Sequence, residues 1–157
     1  MSESTIRAAI YALVNAVTDA GQVYDYDRWT SDWAGFIDLF KGSISGRAQI
    51  RGWEVGYEGF TVERMQFRDS TDKGGELRAH RFIINGYMGQ DDGNASEKTF
   101  SALAESVCNA LDNAETIRAP TFYYAPEASL SVDRLMFGSV LCHHALIVQE
   151  VQEYQSS

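Results

Sequence analysis

Cysteine is scarce in this chain: two in 157 residues, Cys108 and Cys142. A disulfide framework needs more of them in a shorter chain. Each lies in an apolar periodic segment, where a free thiol behaves as a small hydrophobe. Long hydrophobic runs are missing too, which excludes a transmembrane helix. The start, Met1-Ser2-Glu3-Ser4-Thr5, has neither the basic nor the apolar region of a signal peptide. A protein made in the cytoplasm, with no membrane partner, is the expectation. Basic residues are outnumbered, 13 against 22 acidic, for a formal net charge of -9. That excludes a surface built to grip nucleic acid, which must displace counterions. There is no GxGxxG, Walker loop, GxSxG, CxxC or HExxH, so the common cofactor, nucleotide, nucleophile and zinc signatures are absent.

What is present reads as one α+β domain, ordered over about residues 4–152 with frayed ends. Its hydrophobic content, 45%, is ordinary for a globular chain. Ile6, Ile10, Leu13, Val14 and Val17 recur at helical spacing, so residues 4–20 form an amphipathic helix. Ser4 is placed to cap it and Gly21 to end it. Trp33, Phe36, Ile37 and Phe40 mark a short aromatic helix, capped by Thr30 or Ser31 and closed by Lys41-Gly42. Residues 43–68 read as two strands with a bend flanked by Gly56 and Gly59. Asp69–Glu76 is a polar turn, and Leu77–Met88 a third strand on which Arg78, His80, Phe82 and Ile84 share a face.

Asn94 and Glu97 have capping-box spacing ahead of a second amphipathic helix carrying Phe100, Leu103, Val107 and Leu111. Residues 115–128 connect it to a hairpin, Leu130–Phe137 and Val140–Val151, broken only by Gly138-Ser139. In the last strand Cys142, His144, Leu146 and Val148 share one face, and His143, Ala145 and Ile147 the other. Both faces are apolar, so the strand is expected to be covered on both sides. The sum is a mainly antiparallel or mixed sheet of about five strands, with two main helices and one short aromatic helix largely on one face.

Candidate chemistry is thin. His143 and His144 are neighbours on a strand, so they point to opposite faces and cannot readily share a metal. They read as hydrogen-bonded rings in the core or at an interface, and His80 is placed to meet one of them across the sheet. Asp25, Asp27 and Asp32 form a small acidic cluster beside Arg28, read as a solvated or ion-paired loop. Asp91-Asp92-Gly93-Asn94 lacks the closing Glu of a calcium loop and reads as a turn with a helix cap. The expectation is no enzyme, no metal and no cofactor. Aromatic residues supply another signal. Tyr24, Tyr26, Trp29, Trp33, Phe36 and Phe40 crowd residues 24–40, and Phe122-Tyr123-Tyr124 stand in the connection. These, with His143 and His144, are the candidate core anchors or subunit contacts, and self-association is the expected consequence.

Several of these residues carry a resemblance. Tyr24-Asp25-Tyr26-Asp27-Arg28-Trp29, followed by Asp32-Trp33 and Phe36, Gly52-Trp53, His80-Arg81-Phe82 and Met136-Phe137-Gly138-Ser139-Val140-Leu141-Cys142-His143, resemble small tail terminator or tail-completion proteins of Mu-like long-tailed bacteriophages. The resemblance spans roughly residues 6–152, and its motifs are structural. It implies a virion protein that forms a ring, usually of six copies, at the head–tail junction. Such a ring caps the tail tube protein and meets the head–tail connector or neck proteins. DNA would pass through the lumen without specific binding, and an acidic lumen would let it slide. The alternatives are another neck or tail component, a host adaptor, or a small α+β ligand-binding domain or enzyme.

Overall fold

The computed structural model describes residues 2–28, 30, 32–44, 47–65, 74–112, 123–124, 128–137 and 140–156. The first helix, α1 (Ser2–Asn15), buries Ile6, Ile10 and Val14 on one stripe. It starts earlier than its pattern suggests, so Ser4 lies in its first turn and is not its cap. It also stops short of Gly21. The chain instead turns through Asp19 and Gly21, both at positive φ, before entering β1 (Gln22–Tyr24). Gly21 is required there twice over, by its φ of 87° and because a Cβ would lie 2.2 Å from the Arg51 carbonyl oxygen.

The aromatic segment forms α2 (Trp33–Leu39). Its cap is Asp32, whose Oδ1 accepts from the Gly35 amide at 2.6 Å; Thr30 instead donates to the Asp32 carbonyl, and Ser31 lies outside the described residues. The helix closes at the buried Phe40, and Lys41-Gly42 open the next element, β2 (Lys41–Ile44).

The two strands expected over 43–68 are instead β2 and one long strand, β3 (Arg47–Met65). Gly56 and Gly59 do not divide it in two. Gly56 makes room for the Asp27 carboxylate, and the irregularity expected between the glycines is a bulge, with Glu58 the extra residue, that shifts the register by one. Continuous pairing with β4 (Gly75–Gly89) holds the strand together across that bulge.

A 3-10 turn (Asp92–Asn94) leads into α3 (Ser96–Asp112), which buries Phe100, Leu103, Val107 and Leu111 as the spacing predicts. Asn94 is not its cap; its side-chain amide donates to Asp91 Oδ2 inside the turn. The short β5 (Tyr123–Tyr124) precedes the predicted hairpin of β6 (Ser129–Phe137) and β7 (Val140–Ser156). Residues Glu153–Ser156 do not fray. They pair with Gly75–Arg78, the start of β4, and Glu153 is buried.

The strands form one mixed sheet in the order β1-β3-β4-β7-β5, with β2 added to β3 and β6 to β7. Only β1 is parallel to its neighbour. α1 and α3 cover one face, packing on Trp53, Val55, Phe82, Ile84, Ala145 and Ile147. α2 lies over the opposite face, where Phe40 joins Ile50, Tyr87 and Cys142. The helices therefore divide two and one between the faces. The α+β class holds, and the short aromatic helix is the one that departs from the expected side.

Candidate functional site

The three histidines sit in three separate polar clusters. His143 lies on the face covered by α1 and α3, stacked on Phe100 at 5.5 Å. Its Nε2 is 2.9 Å from the Ser96 hydroxyl, which itself accepts from the Asp91 amide. The hydroxyl keeps its proton and a second lone pair for this contact, so it donates to Nε2 in one imidazole tautomer and accepts from it in the other. Burial, assisted by Arg134 and opposed by Glu97, pushes the imidazole below its ordinary range. The serine–histidine contact resembles a nucleophile and its base. Both residues are buried, however, and the serine is held by the turn ahead of α3, so the pair fixes that turn.

This predicts a pH dependence. A depressed folded pKa means that His143's contribution is whole above its ordinary value of 6.5 and is lost as pH falls through the folded value. Denaturation midpoints should fall between neutral pH and pH 5 more steeply in the native protein than in His143→Gln. Equal slopes would remove His143 from the account.

His144 points to the opposite face. Its Nδ1 lies 2.7 Å from Asp133 Oδ1 and its Nε2 lies 2.9 Å from Asn85 Oδ1, with the ring stacked on Tyr87 at 5.3 Å. The Tyr87 hydroxyl donates to Glu54 Oε1 at 3.1 Å, and the Arg28 amide donates to Glu54 Oε2 at 3.0 Å. A polar row therefore crosses β6, β7, β4 and β3. Burial pushes the Glu54 carboxyl up, as does nearby Asp27, while the two hydrogen bonds oppose the shift. Burial and Glu54 together hold the Tyr87 phenol far above its usual value.

His80 meets neither of the other histidines. Its cross-strand neighbour on β7 is Val151; its Nε2 faces Glu153 Oε2 at 2.9 Å and its Nδ1 faces the Tyr57 hydroxyl at 2.8 Å. For His80 and His144, both ring nitrogens are engaged within the chain.

The three acidic residues expected in a solvated loop are all exposed. Asp32 caps α2, Asp27 lies over Gly56, and the Asp25 carbonyl accepts from Arg7. Among the described residues, no group of three His, Cys, Asp or Glu side chains is arranged to hold a metal ion. Cys108 and Cys142 are free thiols. Burial pushes Cys142 up to about 11, and burial with Asp112 and Glu105 nearby raises Cys108. No helix among the described residues is long and apolar enough to cross a membrane.

The aromatic candidates divide. Tyr24 and Phe36 both meet Phe40 edge-on, at 5.6 and 5.4 Å, and the Tyr24 hydroxyl donates to the Leu39 carbonyl. Tyr26 is exposed, and the Arg28 guanidinium lies over both tyrosine rings. Trp29 and Phe122 lie outside the described residues. At Trp33, Tyr123 and Tyr124 the backbone alone is described: Trp33 opens α2, and Tyr123–Tyr124 pair with Glu153 and Gln152 of β7. An open groove of about 580 Å³ lies beside α2, lined by Ala34, Ile37, Asp38, Lys41, Ile50 and Val140 among others.

Sequence reasoning missed the most exposed apolar surface. Every residue of β6 from Ser131 to Met136 is exposed, with Val132 at 44%, Leu135 at 39% and Met136 at 55%. Phe60–Arg64 of β3 is exposed throughout as well, with Phe60 at 49% and Val62 at 44%. A signal for β6 existed: its apolar residues change phase between Val132 and Leu135, so neither face is consistently apolar.

No protein-family model matches this chain. Comparison with curated proteins finds no significant match.

Proposed function

We propose that this chain is a virion structural protein, a tail terminator that assembles as a ring, caps the tail tube and joins it to the head connector. The observation that carries its assembly is the pair of exposed apolar strands, β6 and the outer half of β3, at opposite margins of one sheet. Exposed strand edges bearing apolar side chains are templates for pairing with another chain. The narrower assignment rests on the resemblance carried by residues 24–36, 52–53, 80–82 and 136–143. The net charge of -9 supports it as well, since several copies around a lumen would repel phosphates and leave DNA free to slide. Deleting the gene is expected to leave tails that are unterminated or not joined to heads, seen by negative-stain microscopy of lysates. Normal particles from the deletion would overturn the assignment.

A small ligand-binding domain is the second reading, favoured by the groove beside α2. The polar groups on its lining are few, chiefly Asp38 and Lys41, which pair with each other at 2.9 Å. A compact monomer that retains a small molecule through purification would move this reading to first place.

A further inference from the structure

The two exposed margins fit each other. β6 pairs with β7 along its whole length, from Ser129↔Val148 to Phe137↔Val140, and has no second partner strand among the described residues. On the other margin, β1 and β2 cover β3 only as far as Glu54. Beyond it, no described strand lies outside Val55–Met65.

Strand direction makes the margins complementary. β3, β4, β7 and β6 are antiparallel in succession, so β6 runs opposite to β3. When the sheet is repeated head to tail, β6 of one copy falls antiparallel to β3 of the next, with the helix-bearing faces on the same side. On that face β6 presents Val132 and Met136, and β3 presents Phe60 and Val62. Lengths match too: β6 has nine residues, about the span of open β3.

We infer that β6 of one copy adds to the outer edge of β3, between Tyr57 and Met65, of a second copy, so that the ring closes through one continuous antiparallel sheet. This rests on the ring reading above and names the surfaces that build it. It also fixes an offset. Asp133 aligns through His144 and Tyr87 with Gly52. The open stretch of β3 centres about nine residues further along, roughly 30 Å at ~3.3 Å per residue. Each copy is therefore shifted along the strand direction relative to its neighbour. Closing a sheet on itself requires such a stagger. A head-to-tail contact of this kind yields a ring when its rotation closes.

Full-length protein carrying Ser131→Cys on β6 together with Thr61→Cys or Glu63→Cys on β3 tests the pairing, since these positions share the face away from α1 and α3. The protein is assembled on tail tubes purified from phage lacking the gene, then oxidised. The expected result is a disulfide ladder reaching the full ring for a double variant, with single variants remaining monomeric on non-reducing gels. In unmodified assemblies, amides of β6 and of residues 57–65 should exchange at least about tenfold more slowly than in the free chain. Rings that form without cross-links and without that protection would overturn the pairing and leave the ring reading standing. Dimers from Ser131→Cys alone would show β6 pairing with itself and would overturn it as well. Protection of β6 only on contact with the tube, with no link between copies, would assign the edge to the tube protein. Failure of the unmodified protein to assemble at all would remove the ring reading and the pairing together.

Discussion

Trp53→Ala is expected to lower stability by about 3–5 kcal/mol, the usual range for truncating a buried aromatic. Trp53 is fully buried at the middle of β3 and stacks on Phe100 of α3 at 6.3 Å. It ties the sheet to the helix layer, so its loss leaves a cavity that neither layer can easily fill. The indole fits over Gly86 of β4: a Cβ at Gly86 would lie 2.4 Å from the ring. Gly86→Ala should therefore destabilise by about 1–3 kcal/mol through overpacking. In the Trp53→Ala background the same Gly86→Ala change should cost less, because the clash is gone. Thermal or chemical denaturation of the four proteins measures this. Additive effects would show that Trp53 does not occupy the notch at Gly86.

The second large effect is expected at His80. Its Nε2 faces Glu153 and its Nδ1 faces Tyr57, with His80 and Glu153 both buried. With Nε2–H donating to the carboxylate, Nδ1 accepts from the tyrosine hydroxyl, so the three groups form one chain of hydrogen bonds. His80→Ala takes away the hydrogen-bond donor that Glu153 faces in a buried setting, a loss of roughly 1.5–3 kcal/mol for a bond to a charged group. The effect should be local as well as global, because Glu153 is among the last residues of β7, which pair with the start of β4. Faster amide exchange at residues 75–80 and 151–156 is the expected signature. His80→Gln, which keeps a donor and an acceptor, should recover part of the loss. If His80→Ala melts like the native protein, the cluster contributes nothing to holding that end of the sheet.

The helices were legible because their determinants are local. The stripes Ile6, Ile10, Val14 and Phe100, Leu103, Val107, Leu111 repeat at the period of the helix that buries them. The faces of β4 and β7 followed from the same logic at period two, but β7 is not covered on both sides as expected. Beyond Cys142 its second face, with Leu146 and Val148, is only half-buried, because α2 reaches no further along it. What could not be read depends on partners distant in sequence. Gly56 and Gly59 look like a bend to any local reading; only pairing with β4 turns them into a site for Asp27 and a bulge. Residues 153–156 are polar and terminal, yet β4 needs a neighbour there, and His80 finds Glu153 from 73 residues away. The Asp32 cap was displaced in the reading by two hydroxyl residues just before it.

The candidate site was less legible than the fold. Tyr24 and Phe36, half-buried, meet Phe40 edge-on. His143 and His144 do point to opposite faces. But crowding of aromatics drew attention to residues 24–40, whereas the open surface lies on β6 and outer β3. Whether a strand ends at a margin is a property of the sheet order, which no single segment encodes.

The most direct measurement of the central claim is the position of the protein in intact virions, by gold-labelled antibody and electron microscopy. Labelling at one site per particle, at the head–tail junction, is the predicted result. Absence from virions, or label spread along the tail, would contradict it.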